Sequence, residues 1–370
     1  MIFNQLIVLS LSVLTIFVIP LHADEPFVIY KGESPNIPKQ PQACVSPDGI
    51  VHLTFGVGGK ILYCNNSDGF FATPVNAFEV PNLSLGMRRG PRIASTNKSI
   101  VISAIGGVQG KGKDGDLQAY RSKDQGKTWL GPIKVNDIEA SAREGLHAMT
   151  VSENGVYWCV WIDLRSDKSE LYASRSEDEG RTWRKNQLVY RSPDGSVCEC
   201  CHPSIVTFGE SIHILFRNSL DGNRDMYLIS SNDGGKSFGG AKRLGIESWQ
   251  LNGCPMDGGM LAVKPSGEVI TVWRRKGAIF TTEKPSKLES SLGGGEQAWI
   301  AANADETYVV WLASRDGDLL FAKSGSKVEK IANASRDPVI VAGTRNSSGA
   351  HLFWEQRTDI GTSIVWKNVR

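Results

Sequence analysis

The segment SVCECCHPS, residues 196–204, concentrates side chains that bind metals or exchange disulfides. Thiolate and imidazole groups together favour zinc or copper, and thiols also pair as disulfides in oxidising compartments. The first and third cysteines of the segment have the C-x-x-C spacing. The side chains that could take part in this chemistry are Cys198, Cys200, Cys201 and His202.

Two further segments carry side chains of related chemistry. NGCPMDGG, residues 252–259, contains Cys254 and Asp257, and REGLHAM, residues 143–149, contains His147. If the fold brings these segments next to the first one, thiols, imidazoles and a carboxylate share one site. The question is therefore which structural elements position the three segments.

The total of seven cysteines is odd, so at least one is a free thiol, a metal ligand or paired with another chain. Cys254 can form a disulfide with Cys198 or with Cys200, and Cys200 can instead form a vicinal disulfide with Cys201. The sequence leaves three alternatives open, namely disulfides, free thiols and a soft-metal site. The candidate ligands for Cu or Zn are Cys198, Cys200, Cys201, His202 and Cys254.

A repeated motif indicates the elements that hold these segments. SKDQGKTW at 122–129, SEDEGRTW at 176–183 and SNDGGKSF at 231–238 share the pattern Ser-x-Asp-x-Gly-x-Thr/Ser-aromatic, and NSDGFF at 66–71 is a weaker copy. A nearly constant spacing means one supersecondary unit per repeat. Asp and Ser close a tight turn and Gly allows a positive φ, so we interpret the motif as structural rather than catalytic.

Short segments rich in β-branched and aromatic residues surround each motif, and helical periodicity is weak. Four short strands per unit, repeated radially, predict an all-β protein, a β-propeller of four-stranded blades. Seven blades are preferred and six are the alternative, with FVIYKGE at 27–33 as the strand that closes the ring. The first residues of the innermost strands should then point into the mouth of the central channel on one face, where propellers usually bind ligands. These residues are Gln42, Arg92, His147, His202, Asp257, Gln297 and Asp337.

The repeats resemble the Asp-box (BNR) repeats of the sialidase superfamily, and the resemblance covers residues 42–370. Its sialidases open the first innermost strand with a Phe/Tyr-Arg-Ile-Pro motif, to which GPRIAS at 90–95 is similar. The resemblance implies that Arg92 binds a substrate carboxylate, although Ala94 replaces the proline. Guanidinium groups form bidentate, charge-assisted bonds to carboxylates. The further arginines implied by blade order are Arg274, Arg275 and Arg315, with Arg217 as a rival.

The resemblance also implies a general acid in GKGKDGD, residues 110–116, where Asp114 and Asp116 are the candidates. The tyrosine nucleophile and its glutamate have no counterpart at the matching positions. Asp257 with Asp114 is therefore an alternative acid/base pair, and the other candidate catalytic groups are His147 and His202.

The amino-terminal segment and the net charge of the chain indicate where the protein is located and which partners it binds. Residues 1–23 have the apolar run and small-residue end of a signal peptide, so residues 24–370 are predicted to form the sialidase-like domain in the periplasm or outside the cell. We expect no membrane attachment after cleavage. A formal net charge of +2 gives no electrostatic reason to expect binding to nucleic acid. The oligomeric state is not predicted.

Three functions follow. The first is a glycan-directed exo-glycosidase of sialidase type, or a divergent relative without the tyrosine nucleophile. The second is a propeller that binds a carbohydrate or a protein without catalysis. The third is a Cu, Zn or redox protein that uses the cysteines and histidines. The expected ligand of the first two is a glycan or another small anionic molecule.

Overall fold

A computed structural model describes residues 25–282, 289–343 and 349–370, and within these ranges all regular secondary structure is β-strand. The predicted signal peptide, residues 1–23, lies outside the described residues. None of the described residues forms a helix long and apolar enough to cross a membrane.

The strands form seven antiparallel blades arranged in a ring, which confirms the prediction of a seven-bladed β-propeller. The first described strand, β1 (Phe27–Glu33), is the outermost strand of the last blade. Blades 1 to 3 each contain four strands in chain order from the innermost to the outermost. Their strands are β2 (Pro38–Val45), β3 (Val51–Val57), β4 (Lys60–Asn65) and β5 (Val75–Glu79); β6 (Arg92–Ser95), β7 (Ile100–Gly106), β8 (Asp116–Ser122) and β9 (Leu130–Lys134); and β10 (His147–Val151), β11 (Tyr157–Asp163), β12 (Glu170–Ser176) and β13 (Gln187–Tyr190).

Blade 4 has an additional two-residue strand, and blades 5 and 6 follow the four-strand pattern. Their strands are β14 (Ser196–Val197), β15 (Ser204–Phe208), β16 (Ser211–Leu220), β17 (Asn223–Ser231) and β18 (Lys242–Arg243); β19 (Met260–Val263), β20 (Val269–Arg275), β21 (Ala278–Thr282) and β22 (Ser290–Gly294); and β23 (Glu296–Ala302), β24 (Thr307–Leu312), β25 (Leu319–Lys323) and β26 (Glu329–Ala332).

Blade 7 closes the ring. It contains β27 (Ser335–Ala342), β28 (Ala350–Arg357) and β29 (Gly361–Val369), and β1 pairs antiparallel with β29 from Phe27 opposite Trp366 to Glu33 opposite Gly361. The two ends of the domain thus share one sheet, which removes two exposed sheet edges. This pairing confirms the prediction that FVIYKGE supplies the missing strand.

The core lies between neighbouring blades. All seven residues of β11, YWCVWID, are buried, because a blade packs against a neighbour on each of its faces. Trp158 and Val160 of blade 3 pack with Ile214 and Phe216 of blade 4 in one apolar cluster. Strands that are covered on both faces therefore appear in the sequence as continuous apolar runs.

Each Asp box is a turn closed by its own side chains. Asp124 Oδ1 accepts hydrogen bonds from the Ser122 hydroxyl and from the Thr128 N–H, at 2.8 and 2.9 Å. The Ser122 hydroxyl oxygen accepts the Gly126 N–H at 2.9 Å. The corresponding bonds recur in the boxes of Asp178 and Asp233. These contacts fit the expected structural role.

The first box also joins two blades. The ring of Trp129 lies 5.3 Å from the ring of Tyr63 and 5.8 Å from that of Phe78, both in blade 1. Gly126 has a φ of 84°, and a Cβ at this position would overlap the Tyr63 ring. Glycine is therefore required both for the turn and for the close approach of the two blades.

Candidate functional site

The residues predicted to begin the innermost strands come together at one end of the propeller axis, although only Arg92 and His147 are the first residues of a strand. They come from all seven blades and are between 0% and 7% exposed, so this end of the axis is closed and is not the open mouth that the sequence predicts. The Gln297 N–H donates to Asp257 Oδ2 at 2.8 Å, and the Asp337 N–H donates to Gln297 Oε1 at 3.3 Å. His202 stacks on Trp299 with ring centroids 6.4 Å apart. We call the propeller face at which the innermost strands begin the amino-terminal face, and the opposite one the Asp-box face.

Arg88 closes the axis at the amino-terminal face. It lies in the connection between β5 and β6 and is 2% exposed. Its guanidinium donates to the carbonyl oxygens of Pro338, at 2.9 Å, and of Gln297, and its Nε lies 3.8 Å from Asp337 Oδ1. It also lies 5.2 Å from the centre of the Trp299 ring. Sequence reasoning missed Arg88, since MRRG at 87–90 has no feature that distinguishes a buried arginine from an exposed one.

Arg92, the arginine matched to the sialidase motif, lies directly beside Arg88. It donates to the carbonyl oxygens of Pro91 at 2.9 Å, Gly90 at 3.3 Å and Arg88 at 2.5 Å. Burial lowers the pKa of Arg92 to about 9, and the neighbouring Arg88 cation adds to this shift. Arg92 is therefore still cationic at neutral pH, and it lines the central cavity.

The two predicted histidines are buried and neutral. Burial, then the cations of Arg88, Arg92 and Arg217, lowers the pKa of His202 well below its usual value. Burial also lowers the pKa of His147, whose Nε2 lies 2.9 Å from the Ser103 hydroxyl. Neither ring nitrogen of His202 has a hydrogen-bond partner within the described ranges. A neutral imidazole offers one donor and one acceptor, so His202 has both available for a ligand or water.

Burial favours the protonated forms of two carboxyl groups at this end of the axis, those of Asp257 and Glu355. Burial raises the pKa of Asp257, and its Oδ1 has no hydrogen-bond partner among the described residues. Burial and then the Asp337 carboxylate raise the pKa of Glu355 well above its usual value, and the two carboxyl groups are hydrogen-bonded to each other. Glu355 Oε1 also accepts the Gln40 N–H at 2.7 Å. No sequence motif distinguishes Glu355, which comes from the second strand of its blade.

A cavity of about 470 Å³ follows the axis. Its closed end is lined by Gln42, Arg92, His202 and Trp299, beneath Arg88. Exposure increases along the innermost strands, and the residues near their carboxyl ends are partly exposed. The channel therefore opens at the Asp-box face. The residues near the opening include Val45, Val151, Thr207, Val263, Ala302 and Gly343.

The other predicted substrate arginines do not join Arg92. Arg274 lies 3.5 Å from one carboxylate oxygen of Glu296, and Arg315 lies 3.9 Å from the other. Arg275 forms a bidentate ion pair with Glu289 and stacks on a phenylalanine. These three arginines already have carboxylate partners from the protein itself.

The rival arginine and the predicted acids also have internal contacts. Arg217 donates to three backbone carbonyl oxygens, including that of Asp257 at 3.1 Å. The Asp114 carboxylate accepts three backbone N–H groups of its own loop, at 2.7 to 2.9 Å. These bonds hold the pKa of Asp114 below its usual value, and the bond from the Gln109 N–H contributes most. Asp116 pairs with Lys134 at 2.9 Å. The structure therefore places Asp114 and Asp257 in different surroundings, since Asp114 is partly exposed and Asp257 is buried.

No tyrosine contributes to the cavity lining within the described ranges. Tyr308 is buried in the core, where its hydroxyl lies 3.2 Å from Asn303 Nδ2. The site thus lacks the tyrosine that sialidases use as a nucleophile.

The cysteine segments meet on the amino-terminal face. Cys200 and Cys254 form a disulfide that joins the connections leading to blades 4 and 5, which confirms one predicted pairing. Cys198 and Cys201 are buried thiols with their sulfurs 3.4 Å apart. The hydrogen bond from Cys201, and then the Arg217 and Arg224 cations, lower the pKa of Cys198 to about 7 against the opposing effect of burial. The metal-site interpretation stays a prediction.

The chain is similar to one protein family and to several solved propeller structures. The family model described as a BNR repeat-like domain matches residues 91–277. A polysaccharide lyase, an ulvan lyase bound to a GlcA(1-4)Rha3S saccharide, has a TM-score of 0.61 at 13% identity, over 92% of this chain and 95% of that chain. The search of curated proteins gave no match.

Two further solved structures are similar over nearly their whole length. A protein of unknown function from Dyadobacter fermentans has a TM-score of 0.58 at 15% identity, over 94% of this chain and 98% of that chain. An α-L-arabinofuranosidase from Fusarium graminearum, solved with an iminosugar inhibitor, has a TM-score of 0.58 at 10% identity, over 93% and 97%. At such identities the structural similarity shows the fold. The chain belongs to the BNR repeat-like family and is a sialidase-like propeller.

Proposed function

We propose that the protein binds an anionic saccharide in its axial channel, as a glycan-directed relative of the sialidases. The observation that carries this proposal is the position of the Arg92 cation at the closed end of the cavity, beside a histidine with two unpaired ring nitrogens. A carboxylate placed there meets a guanidinium and an imidazole N–H in a site shielded from bulk water.

Electrostatics favours an anion at this position. Burial lowers the pKa of Arg92 to about 9. Arg92 is still cationic, but the surrounding protein stabilises its charge less well than water does. A ligand carboxylate offsets that cost, and a hydrogen bond to a charged group contributes about 1.5–3 kcal/mol. The Arg92 N–H groups that are not bonded to the protein, together with His202, supply the donors for this carboxylate.

A sugar ring suits the rest of the channel wall. Trp299 lies at the closed end, where the part of its ring that His202 and Arg88 leave uncovered can pack against the C–H groups of a saccharide. Ser204 and Thr150 also line the cavity and carry hydroxyl groups. The carbohydrate class is supported further by the similar structures, of which one was solved with a glucuronic acid-containing saccharide and another is an arabinofuranosidase.

Hydrolysis is a second candidate, favoured by Asp257. Burial raises the pKa of this carboxyl group, and its Oδ1 has no partner within the described ranges. A carboxyl group with a raised pKa is suited to act as a general acid on a leaving-group oxygen. Asp257 would then act as the acid of an exo-glycosidase in which a group other than tyrosine completes the reaction.

Location outside the cytoplasm is part of the proposal. Residues 1–23 have the pattern of a signal peptide, and the Cys200–Cys254 disulfide suits an oxidising compartment. Fractionation of cells that express the full chain, with mass determination of the mature terminus, tests this part. Recovery of the uncleaved chain in the cytoplasm would contradict it.

Calorimetric titration tests the binding proposal with sialyllactose, a glucuronate-terminated oligosaccharide and lactose. We expect binding of an anionic ligand but not of lactose. Arg92→Gln should weaken binding about 10- to 100-fold, the equivalent of 1.5–3 kcal/mol. Thr150→Phe, which fills the channel without removing a hydrogen bond shown by the structure, should weaken binding similarly.

Hydrolysis of fluorogenic sialosides and glucuronides that is lost in Asp257→Asn would support the second candidate function.

Arg315→Ala on the amino-terminal face is the matched control and should bind as the unmodified protein does. Binding that survives both channel substitutions, or that is lost in Arg315→Ala, would place the saccharide elsewhere and overturn the proposal. Thermal unfolding of each variant separates loss of binding from loss of the fold.

A further inference from the structure

Three sulfur atoms come together in one tight turn of the amino-terminal face. The Cys201 N–H donates to the Cys198 carbonyl oxygen at 3.2 Å and closes the turn. The Sγ atoms of Cys198, Cys200 and Cys201 are separated by 3.4, 3.5 and 3.8 Å. Within the described ranges, no other group of three or more Cys, His, Asp or Glu ligand atoms is this compact. Neither the fold nor the proposed saccharide site requires this arrangement.

We propose that Cys198, Cys200 and Cys201 bind one soft cation of the Cu(I) type when the disulfide between Cys200 and Cys254 is reduced. In the oxidised protein the Cys200 sulfur is bonded to Cys254, so two thiols remain. The Cys200 sulfur already lies in the turn, and reduction makes it available as a third thiol. The site is thus controlled by the redox state of one disulfide.

The sulfur triangle has the size that a metal requires. Its centre lies about 2.1 Å from each sulfur, slightly less than the ~2.3 Å of a metal–thiolate bond. A cation therefore fits just above the plane of the three sulfurs without a rearrangement of the turn. Sites that consist of thiolates alone select soft ions such as Cu(I) over hard ions such as Mg²⁺.

Two cations lie beside the thiols and offset part of the negative charge of the thiolates. Arg224 Nη1 lies 3.4 Å from Cys198 Sγ, and the Arg217 cation also acts on both buried thiols. Arg224 Nη1 also lies 3.7 Å from Glu199 Oε2, so its charge is shared with a carboxylate of the protein. The choice of Cu(I) over harder ions therefore rests on the all-thiolate ligand set.

The disulfide is placed where a reductant reaches it. Cys254 is exposed and Cys200 is half-buried, whereas the other two thiols are buried. Two equivalents of a thiol reductant break the Cys200–Cys254 bond, deliver two electrons and two protons to the two sulfurs, and leave as one disulfide. Metal binding then releases the protons of the three thiols to solvent. No other oxidant or reductant is needed.

The other predicted ligands lie outside the triangle. His202 is not part of the compact group, and it stacks on Trp299 in the channel wall. Cys254 belongs to a different connection, 54 residues along the chain, with a Cα–Cα distance of 6.3 Å to Cys200. The proposal therefore predicts opposite roles for the two disulfide partners, since Cys200 is a ligand and Cys254 occupies its sulfur in the oxidised protein.

Anaerobic Cu(I) titration of the full domain against a chromophoric competitor tests the proposal. We expect one equivalent of tight binding after reduction and removal of the reductant, and at least 100-fold weaker binding in the oxidised protein. A thiolate-to-metal absorption band should appear with the first equivalent. Thiol counting before the titration verifies the redox state.

Variants make the test specific. Cys254→Ser should bind Cu(I) with full affinity and without reduction, because its Cys200 is always free. The double variant Cys200→Ser/Cys254→Ser differs from it only at Cys200 and should lose at least 100-fold in affinity. Cys64→Ser, a buried thiol of blade 1, should behave as the unmodified protein.

Three results would overturn the proposal. Equal Cu(I) binding before and after reduction would remove the redox control. Equal binding by the single and double serine variants would remove Cys200 from the site. Tight binding of Zn²⁺ that is lost in Cys254→Ser would show a four-sulfur zinc site instead. Matching thermal unfolding curves for the two serine variants would verify that both are folded.

Discussion

The Asp-box face and the amino-terminal face of this propeller are built in opposite ways. The Asp-box face repeats one turn three times, and each turn forms its hydrogen bonds within about seven residues of chain. The amino-terminal face draws one or two different residues from each blade and leaves several buried polar atoms without protein partners. Repetition thus maintains the fold, while the unrepeated face has the groups that can do chemistry.

The difference lies in the range of the contacts. Arg88 bonds to the carbonyl oxygen of Pro338, 250 residues away along the chain, whereas Asp124 bonds to residues within four positions. Loss of a long-range buried contact leaves several groups unsatisfied at once. Loss of a local, exposed contact leaves groups that water can solvate. The two faces should therefore respond very differently to substitution.

The largest effect is expected for Arg88→Met. The change removes a buried cation, leaves the carbonyl oxygens of Pro338 and Gln297 without a donor, and leaves Asp337 without its counter-charge. Breaking a buried ion pair from one side costs about 3–5 kcal/mol in the free energy of unfolding. Denaturant-induced unfolding followed by tryptophan fluorescence measures this loss.

Arg315→Met is the matched control on the same face, because Arg315 is exposed and its nearest carboxylate oxygen lies 3.9 Å away. Its free energy of unfolding should change by about 0.5 kcal/mol or less. Similar losses in the two variants would show that burial of Arg88 does not decide the effect, and the contrast between the faces would fail.

The next prediction separates backbone strain from steric crowding at two glycines of the Asp-box face. Gly126 and Gly69 have φ angles of 84° and 86°, but a Cβ would overlap the Tyr63 ring at Gly126 and meet nothing within 4 Å at Gly69. A positive φ alone costs alanine about 1 kcal/mol, and overpacking adds about 1–3 kcal/mol. Gly69→Ala should therefore destabilise by about 1 kcal/mol and Gly126→Ala by about 3 kcal/mol. Equal losses in thermal unfolding would mean that the contact between blades is not needed.

Much of the fold is predictable from the sequence, since its signals are local. The box spacing gives the repeat, the apolar runs give the middle strands, and FVIYKGE is recognisable as the missing strand of blade 7. The convergence of His202 and Asp257 is also predictable, because both lie just before an innermost strand. Such inferences require the order of the strands but no side-chain direction.

The remaining features depend on side-chain direction and loop position. Arg274 and Arg275 are adjacent in one strand and so point to opposite faces, the first toward Glu296 and the second toward Glu289. Blade order alone cannot choose between them. Arg88 lies in a connection without periodicity. The choice of Cys200 over Cys198 as the partner of Cys254 depends on ångström-scale differences between two connections.

The smallest effect concerns the charge in one box. Hydrogen bonds from the Thr128 hydroxyl, then from its N–H and from Ser122, lower the pKa of Asp124 from 3.8 to about 2. Because the folded pKa is below the unfolded one, ionised Asp124 stabilises the protein above about pH 4. This stabilisation is lost as the pH falls through 2. Asp124→Asn should thus lower the melting temperature at pH 6, and the difference from the unmodified protein should shrink toward pH 2.

Thr128→Ser supplies the conservative control, because Ser237 fills the same role in the third box with a 2.6 Å hydrogen bond to Asp233. Its melting temperature should run parallel to that of the unmodified protein from pH 6 to pH 2. Thr128→Ala removes the hydroxyl donor and should follow a pH profile between those of the unmodified protein and Asp124→Asn. A difference between Asp124→Asn and the unmodified protein that stays constant with pH would mean that the charge of the box is irrelevant to its turn. The hydrogen bonds of the box would then stabilise the turn whether or not Asp124 is charged. The two faces would differ in how far apart along the chain their bonded residues lie, but not in their dependence on charge.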